Sequence, residues 1–400
     1  MKGISSRWSF FQRTIPNIAH LFLPLESVIR QKLIPALLGR EISDIERRLL
    51  SLPVRYGGLA LPNPVLTAER EYMHSTRITD CLASLIENQQ NDLNEIDTAQ
   101  ESRLKLQMKK DKESFLVREQ QEVFLELSQP TKRAAELASE KGASSWLTCL
   151  PIRSLGYCLN KHEFRDALSL RYGWPIPNIP KHCACGQSND IDHLLCCKKG
   201  GYVSLRHNSL RDLFVKLLGV FCKDVQTEPA LIPVRTQTAE GDVGIGDAAR
   251  LDVSARGIWN TFEKTFLDIR VTHANAPSQR HKSTSAIFTA HESEKKRKYL
   301  DRVLNVEKAA FVPVVLSTSG GYAPEAARLV KQIATQIAVK NKERYDDVMG
   351  HVRTRVRFTL LKATLASVRG FRGTMPVQDE VRDGAIMFNI IPNMPGYDPV

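Results

Sequence analysis

Two aspartates and a lysine-rich segment carry the clearest chemical pattern in the chain. Leu251-Asp252-Val253 and Phe266-Leu267-Asp268-Ile269-Arg270-Val271 each set one acid inside a run of strand-forming residues, and Glu294-Lys295-Lys296-Arg297-Lys298-Tyr299 follows. Carboxylate oxygens suit Mg²⁺, which keeps several waters and takes only one or two protein carboxylates. A cation held against a phosphodiester, with an ammonium beside the attacking water, makes a metal-dependent nuclease centre. The competing reading is that both acids are ordinary edge or solvent-face residues.

Stepping outward, Ala249 to Ala255 alternates loosely around Asp252, and Thr265 to Thr272 is a β-branched and aromatic run with Asp268 at its middle. Gly257 and Asn260 break the two runs apart, which predicts an antiparallel hairpin whose acids project toward one point. From Ser283 to Lys308 there is no Pro or Gly, and Lys295, Lys298 and Arg302 recur on one helical face, with Tyr299, Val303 and Val306 on an apolar side. Such a cationic face is as often merely solvated, and Lys295 to Lys298 also fits a nuclear-import tetrapeptide.

A second pattern precedes this one. Cys183-Ala184-Cys185, then His193 and Cys197, offers three thiolates and one imidazole, the donor set of a closed tetrahedral Zn²⁺ site that folds a knuckle and does not catalyse. Gly186 lets the chain turn after the first pair, and Cys196 competes with Cys197 as fourth ligand. Reduced structural cysteines are the alternative. Lys198-Lys199-Gly200-Gly201 follows, then Arg206-His207-Asn208 at the front of a helix whose Leu210, Leu213, Phe214, Leu217, Leu218 and Phe221 form an apolar stripe, with Ser204 as N-cap. That helix front and the Arg206/His207 pair favour a phosphate, against the alternative of a capped surface helix with incidental basic residues. Gly241 to Gly246 reads as a flexible loop.

The remainder sets the context. The 400 residues carry 56 Lys+Arg against 44 Asp+Glu, a net charge of +12, which fits a polyanionic partner. Eight cysteines without a regular framework point to a reducing compartment, and no secretory signal or membrane span is expected. Residues 1–82 read as compact and helical, and Glu87 to Leu127 as a long solvated helix or a partly disordered connector. A further helical block runs from Ala134 to Tyr172, interrupted at Pro151. Phe311 to Leu316 reads as a strand that Pro313 confines to an edge. Tyr345-Asp346-Asp347 reads as helix-start acids, not as a polymerase pair. Between Asp347 and Asp379 there is no acid while Arg353, Arg355, Arg357, Lys362, Arg369 and Arg372 are basic, so Arg353 and Arg357 are expected on a DNA-backbone track.

Taken in order, the Cys-x-Cys, His and Cys, the Lys-Gly-Gly, the Arg-His-Asn, the two strand acids and the Glu-Lys before Lys-Tyr resemble the C-terminal part of non-long-terminal-repeat retrotransposon proteins. These carry a restriction-like endonuclease of the PD-(D/E)xK type. Arg13 to Pro16, Pro24 to Glu26, Ile34 to Leu37 and Leu52 to Leu59 resemble the thumb that follows their polymerase palm. The resemblance implies Asp252 and Asp268 as Mg²⁺ ligands, Lys295 as catalytic lysine with Lys298 assisting, Cys183, Cys185, His193 and Cys197 as Zn²⁺ ligands, and Arg206 and His207 as DNA contacts. It also implies a nick that primes reverse transcription, DNA and element RNA as partners, nuclear localisation after cytoplasmic synthesis, and no polymerase activity from this chain. Leu251 stands where the motif has proline, and Arg270 where a typical member has lysine. Since arginine does not readily exchange a proton, Lys295 must fill that role from the helix.

The expected architecture is α+β and multidomain: a helical thumb-like domain (1–82), a helical connector (83–178), a zinc knuckle (179–201), an α/β endonuclease domain (202–373) and a tail (374–400). The alternative function is a non-catalytic, zinc-containing nucleic-acid-binding remnant of a truncated element.

Overall fold

The run centred on Asp268 forms the longest strand of a four-stranded sheet. The structure, a computed structural model, describes residues 2–89, 98–233, 235–237, 243–245, 249–370 and 372. Its architecture is α+β, and the chain divides into two compact units, Met1–Ser139 and Glu140–Val400.

The first unit is helical: α1 (Lys2–Thr14), α2 (Leu23–Val28), α3 (Ile34–Leu38), α4 (Asp44–Ser51), α5 (Pro64–Glu87), α6 (Thr98–Glu126) and α7 (Gln129–Ser139). Start signals act where the sequence provides them. Ser43 and Glu46 form a reciprocal capping box on α4, and Asn63 caps α5 ahead of Pro64 at the first helical position. The polar segment expected to be a solvated helix or a partly disordered connector is α6 over residues 98–126. Arg48 of α4 reaches its Glu119 (3.0 Å), Glu122 (3.1 Å) and Glu126 (2.8 Å), three acids on one helical face. Gly58 cannot carry a side chain, because a Cβ there would lie 1.9 Å from the Leu52 carbonyl oxygen.

The second unit contains α8 (Ser145–Thr148), α9 (Lys161–Tyr172), α10 (Ile191–Cys196), α11 (Tyr202–Gly219), β1 (Lys223–Thr227), β2 (Arg235–Gln237), β3 (Val243–Ile245), β4 (Val253–Arg256) and β5 (Lys264–Thr272), then α12 (Thr284–Asn305), β6 (Ala310–Ser317), α13 (Pro324–Asn341) and α14 (Tyr345–Arg369). The sheet order is β1-β4-β5-β6. β4 and β5 form the expected antiparallel hairpin around Gly257, whose φ of +102° suits a residue without a Cβ. β6 runs parallel to β5, with α12 as the crossover. Pro313 lies on this edge strand, as its missing N–H requires.

Alternation along β5 sorts its neighbours. Leu267 and Ile269 join Leu213, Phe214 and Leu217 of α11, and residues of α13 and α14, in the main core. Phe266, on the opposite face, packs with Tyr299 and Val303 of α12 and with Leu251. Burying each of these large side chains stabilises the fold by about 2 kcal/mol. Both faces of the hairpin are thereby covered, and the acids enter a prearranged site.

Two local expectations change. α11 starts at Tyr202 with Gly201 (φ +70°) as its N-cap, not at Ser204, because the two glycines before it permit the left-handed turn. Val243–Ile245, expected in a flexible loop, pairs with Arg235–Gln237 as a two-stranded ribbon, while Gly241, Asp242 and Gly246 lie outside the described residues. Asp346 and Asp347 occupy the first turn of α14, as expected of helix-start acids. The tail assigned to 374–400 lies outside the described residues.

Candidate functional site

The register of the hairpin brings the two acids together. Val253 pairs with Leu267, so one residue further Asp252 stands opposite Asp268, and the Asp252 N–H donates to the Leu267 carbonyl (3.1 Å). Facing residues on antiparallel strands share a side of the sheet, with Cβ atoms about 5 Å apart. Two like charges so placed repel each other, and the surroundings respond by separating their proton affinities.

Asp252 is the ionised member. Burial alone would raise its pKa, but a hydrogen bond and charge from His207 Nε2 (3.2 Å), together with the Ile269 N–H, hold it below the ordinary carboxylate value. Asp268 goes the other way. Burial pushes its pKa up and the neighbouring Asp252 carboxylate adds to the rise, against the opposing pull of Lys295. Lys295 Nζ lies 2.7 Å from Asp268 Oδ2 as an ion pair. That oxygen is buried and, apart from the Lys295 ammonium, has no hydrogen-bond partner among the described residues, so it keeps acceptor capacity.

α12 supplies the cations in register with β5. Three successive same-face residues of β5 meet its side chains: Asp268 meets Lys295, Arg270 bonds Glu294 (2.7 Å), and Thr272 contacts His291 (3.1 Å). Arg270 is thereby held away from the acid pair, and the helix lysine takes the place beside it. Lys298 lies a turn later, exposed, with its ammonium 5.0 Å from the centre of the Tyr299 ring. Glu228 donates its backbone N–H to the Asp252 carbonyl (2.9 Å), but its carboxylate pairs with Arg211.

His207 belongs to this centre, whereas helix position alone suggested a DNA contact. Its contact with Asp252 raises its own pKa despite burial, and Asn208 Oδ1 lies 3.2 Å from its other ring nitrogen. The sequence signal was thin, since nothing local couples position 207 to position 252.

The Cys/His cluster forms as the spacing requires. Cys183, Cys185, His193 and Cys197 present ligand atoms all within 4.8 Å of one another. The Cys183 and Cys197 sulfurs are 3.7 Å apart, and Cys185 Sγ lies 3.3 Å from His193 Nε2. Bonds of about 2.3 Å to sulfur and 2.0 Å to nitrogen set tetrahedral edges close to these lengths. Gly186 (φ +87°) makes the turn, its N–H donating to the Cys183 carbonyl (2.8 Å). Asp190 then caps α10 through the His193 N–H (2.6 Å), and a single helical turn carries His193 and Cys197 to one side. Cys197 is buried in the cluster while Cys196 is exposed, so the choice between them falls to Cys197. Against burial, the Cys185 N–H and contacts with His193 and Cys185 bring the Cys183 thiol down to about 6, toward the thiolate that binds metal. Leu194 and Leu195 on the other side of α10 pack against Val368, and Asp192 pairs with His273 (2.8 Å) beyond β5.

Several members of the acid-free arginine series are engaged within the protein, while Arg353, Arg355 and Lys362 stay half-exposed. α14 is buried along most of its length, and Arg357 is the buried cation among its described residues. Arg357 is buried beside the Thr318 carbonyl (3.5 Å), Arg369 makes a bidentate pair with buried Asp166 (2.6 and 2.7 Å), and Arg372 reaches the Leu194 carbonyl (2.8 Å). Arg206 likewise lies in the interior, donating to the Leu195 carbonyl (2.9 Å). Arg369 ties α9 to α14, and Arg206 and Arg372 tie α10 to the C-terminal end of α14. Arg353 alone of the four expected DNA contacts remains half-exposed and outside the acid centre.

No protein-family model matches the chain, and no curated protein matches it.

Proposed function

We propose that the second unit contains a restriction-like endonuclease of the PD-(D/E)xK type that nicks DNA. The observation that carries this reading is the facing pair Asp252 and Asp268 with the Lys295 ammonium 2.7 Å from one of them. An all-oxygen pair that retains buried acceptor capacity fits a hard cation such as Mg²⁺. Bound there, Mg²⁺ would neutralise phosphate charge and lower the pKa of water.

The chain's own residues have distinct parts. His207 keeps Asp252 ionised and oriented, and Asp268, once it has given up its proton, would complete the carboxylate pair that holds the cation. Lys295 stabilises charge developing on the phosphate oxygens when that carboxylate turns to other partners. Arg270, fixed to Glu294, aligns the crossover helix and takes no proton.

In the wider reading, the first unit is thumb-like, zinc at the Cys/His cluster folds the knuckle, and the nick supplies a 3′ hydroxyl for reverse transcription of an element RNA in the nucleus. Nicking of supercoiled plasmid in Mg²⁺, with Asp252→Ala and Asp268→Ala alongside, tests the nuclease. Cleavage that persists in both variants would overturn it.

A further inference from the structure

A cavity of about 380 Å³ opens at the carboxyl ends of the parallel strands β5 and β6, where the chain enters α12 and α13. In open α/β sheets this is the end at which ligands gather, because helix N-termini converge there. Thr284 and Ser285 of the first turn of α12 line the cavity. Ser283 caps that helix through the Ala286 N–H alone (3.2 Å), so the earlier donors remain available to an anion.

Side chains reinforce the helix end. Lys141, Lys331 and Arg353 all line the cavity, and none of them has a carboxylate within ion-pair distance among the described residues. Glu140 is the acid in the lining, and its carboxylate turns to the Ser317 hydroxyl (3.4 Å) and the backbone at Gly321. Three cations against one acid leave the cavity positive. Phe288, Ala327 and Val330 supply an apolar wall. A positive end beside an apolar wall, in a volume suited to a small organic ligand, calls for a phosphate attached to a ring system.

We infer that this cavity binds a nucleoside monophosphate unit, its phosphate toward Lys331, Arg353 and the start of α12, its base against the apolar wall. The site is separate from the acid pair. Phe288 precedes Lys295 by seven residues, about 10 Å along the helix axis. The inference stands independently of cleavage, and the source of the nucleotide is either a free molecule or the 5′ end of a strand.

Calorimetry on the full chain with adenosine 5′-monophosphate, adenosine and inorganic phosphate tests it. The nucleotide is expected to bind at least tenfold more tightly than inorganic phosphate, and adenosine more weakly still. Lys331→Glu, at an exposed helix position, and Arg353→Glu should each raise the nucleotide Kd at least tenfold, while Lys331→Arg and Asp252→Ala preserve it. Competition by a 5′-phosphorylated oligonucleotide, but not by its 5′-hydroxyl counterpart, identifies the strand end as source; nucleotide binding without that competition identifies the free molecule. Equal binding of adenosine and its monophosphate, or an unchanged Kd in Lys331→Glu with an unchanged circular dichroism spectrum, would overturn the inference.

Discussion

Asp252 and Asp268 face each other across neighbouring antiparallel strands, yet their proton affinities are driven in opposite directions. His207 secures the charge on Asp252, while burial and the Asp252 carboxylate oppose the charge on Asp268. A divalent cation between them removes the conflict. Mg²⁺ is therefore expected to raise the thermal midpoint, and at ten times its Kd the added stability is about 1.4 kcal/mol. Thermal melts with and without Mg²⁺ check this, and Asp268→Ala should abolish the increment.

The same pair sets a pH dependence. Because the folded pKa of Asp252 is depressed, its contribution is present above the unfolded value and lost as pH falls through the folded one. His207 has a raised folded pKa, so its contribution is complete below its unfolded value near 6.5 and is lost as pH rises through the folded one. Stability should thus decline as pH rises above about 6.5, and His207→Gln should flatten that limb. Asp268 is raised by burial and must lose its proton to bind Mg²⁺, so Mg²⁺ affinity should weaken as pH falls toward that raised value. Urea titrations across pH measure the first effect, and Mg²⁺ titrations the second.

Zinc at Cys183, Cys185, His193 and Cys197 should be structural. One zinc per chain is expected by elemental analysis, falling to none in Cys183→Ser and remaining at one in Cys196→Ser. Chelation should lower the melting temperature of the second unit, because structural zinc binding is folding free energy. Unchanged zinc content in Cys183→Ser would remove the ligand assignment.

The hairpin, the crossover helix and the cysteine spacing were legible because each depends on local periodicity or on residues a few positions apart. The arginines of α14 were not. Acid-free sequence between Asp347 and Asp379 reads as a cationic surface only if every partner is nearby, and Arg369 finds its carboxylate on Asp166, 203 residues away. Arg206 misleads for a related reason: a helix front looks exposed until the Leu195 carbonyl and α14 close over it. His207 could be placed near a helix start, but its partner Asp252 is fixed by the packing of α11 on the sheet.

Arg369→Ala leaves the Asp166 carboxylate without its half-exposed partner, and a loss of about 1–2 kcal/mol is expected from denaturant unfolding. DNA affinity of the folded variant should stay within twofold of the parent. A large fall in affinity with unchanged stability would restore the surface-track reading.

Lys295→Ala should reduce the single-turnover cleavage rate by about 10²- to 10³-fold, the usual consequence of removing one preorganised charge from a transition state. Lys298→Ala should have a much smaller effect, since Lys298 stands exposed over the Tyr299 ring while Lys295 makes the contact to Asp268. Equal losses in the two variants would assign them a common electrostatic role.

The most direct measurement is the rate of plasmid nicking by the purified chain in Mg²⁺, compared with Asp252→Ala and Asp268→Ala prepared identically. Mg²⁺-dependent nicking by the parent, reduced at least 10²-fold in each variant while both retain their zinc and their circular dichroism spectra, is the expected result. Nicking at the parental rate in either variant, or no Mg²⁺-dependent nicking by the parent, would contradict a catalytic centre at this pair of carboxylates.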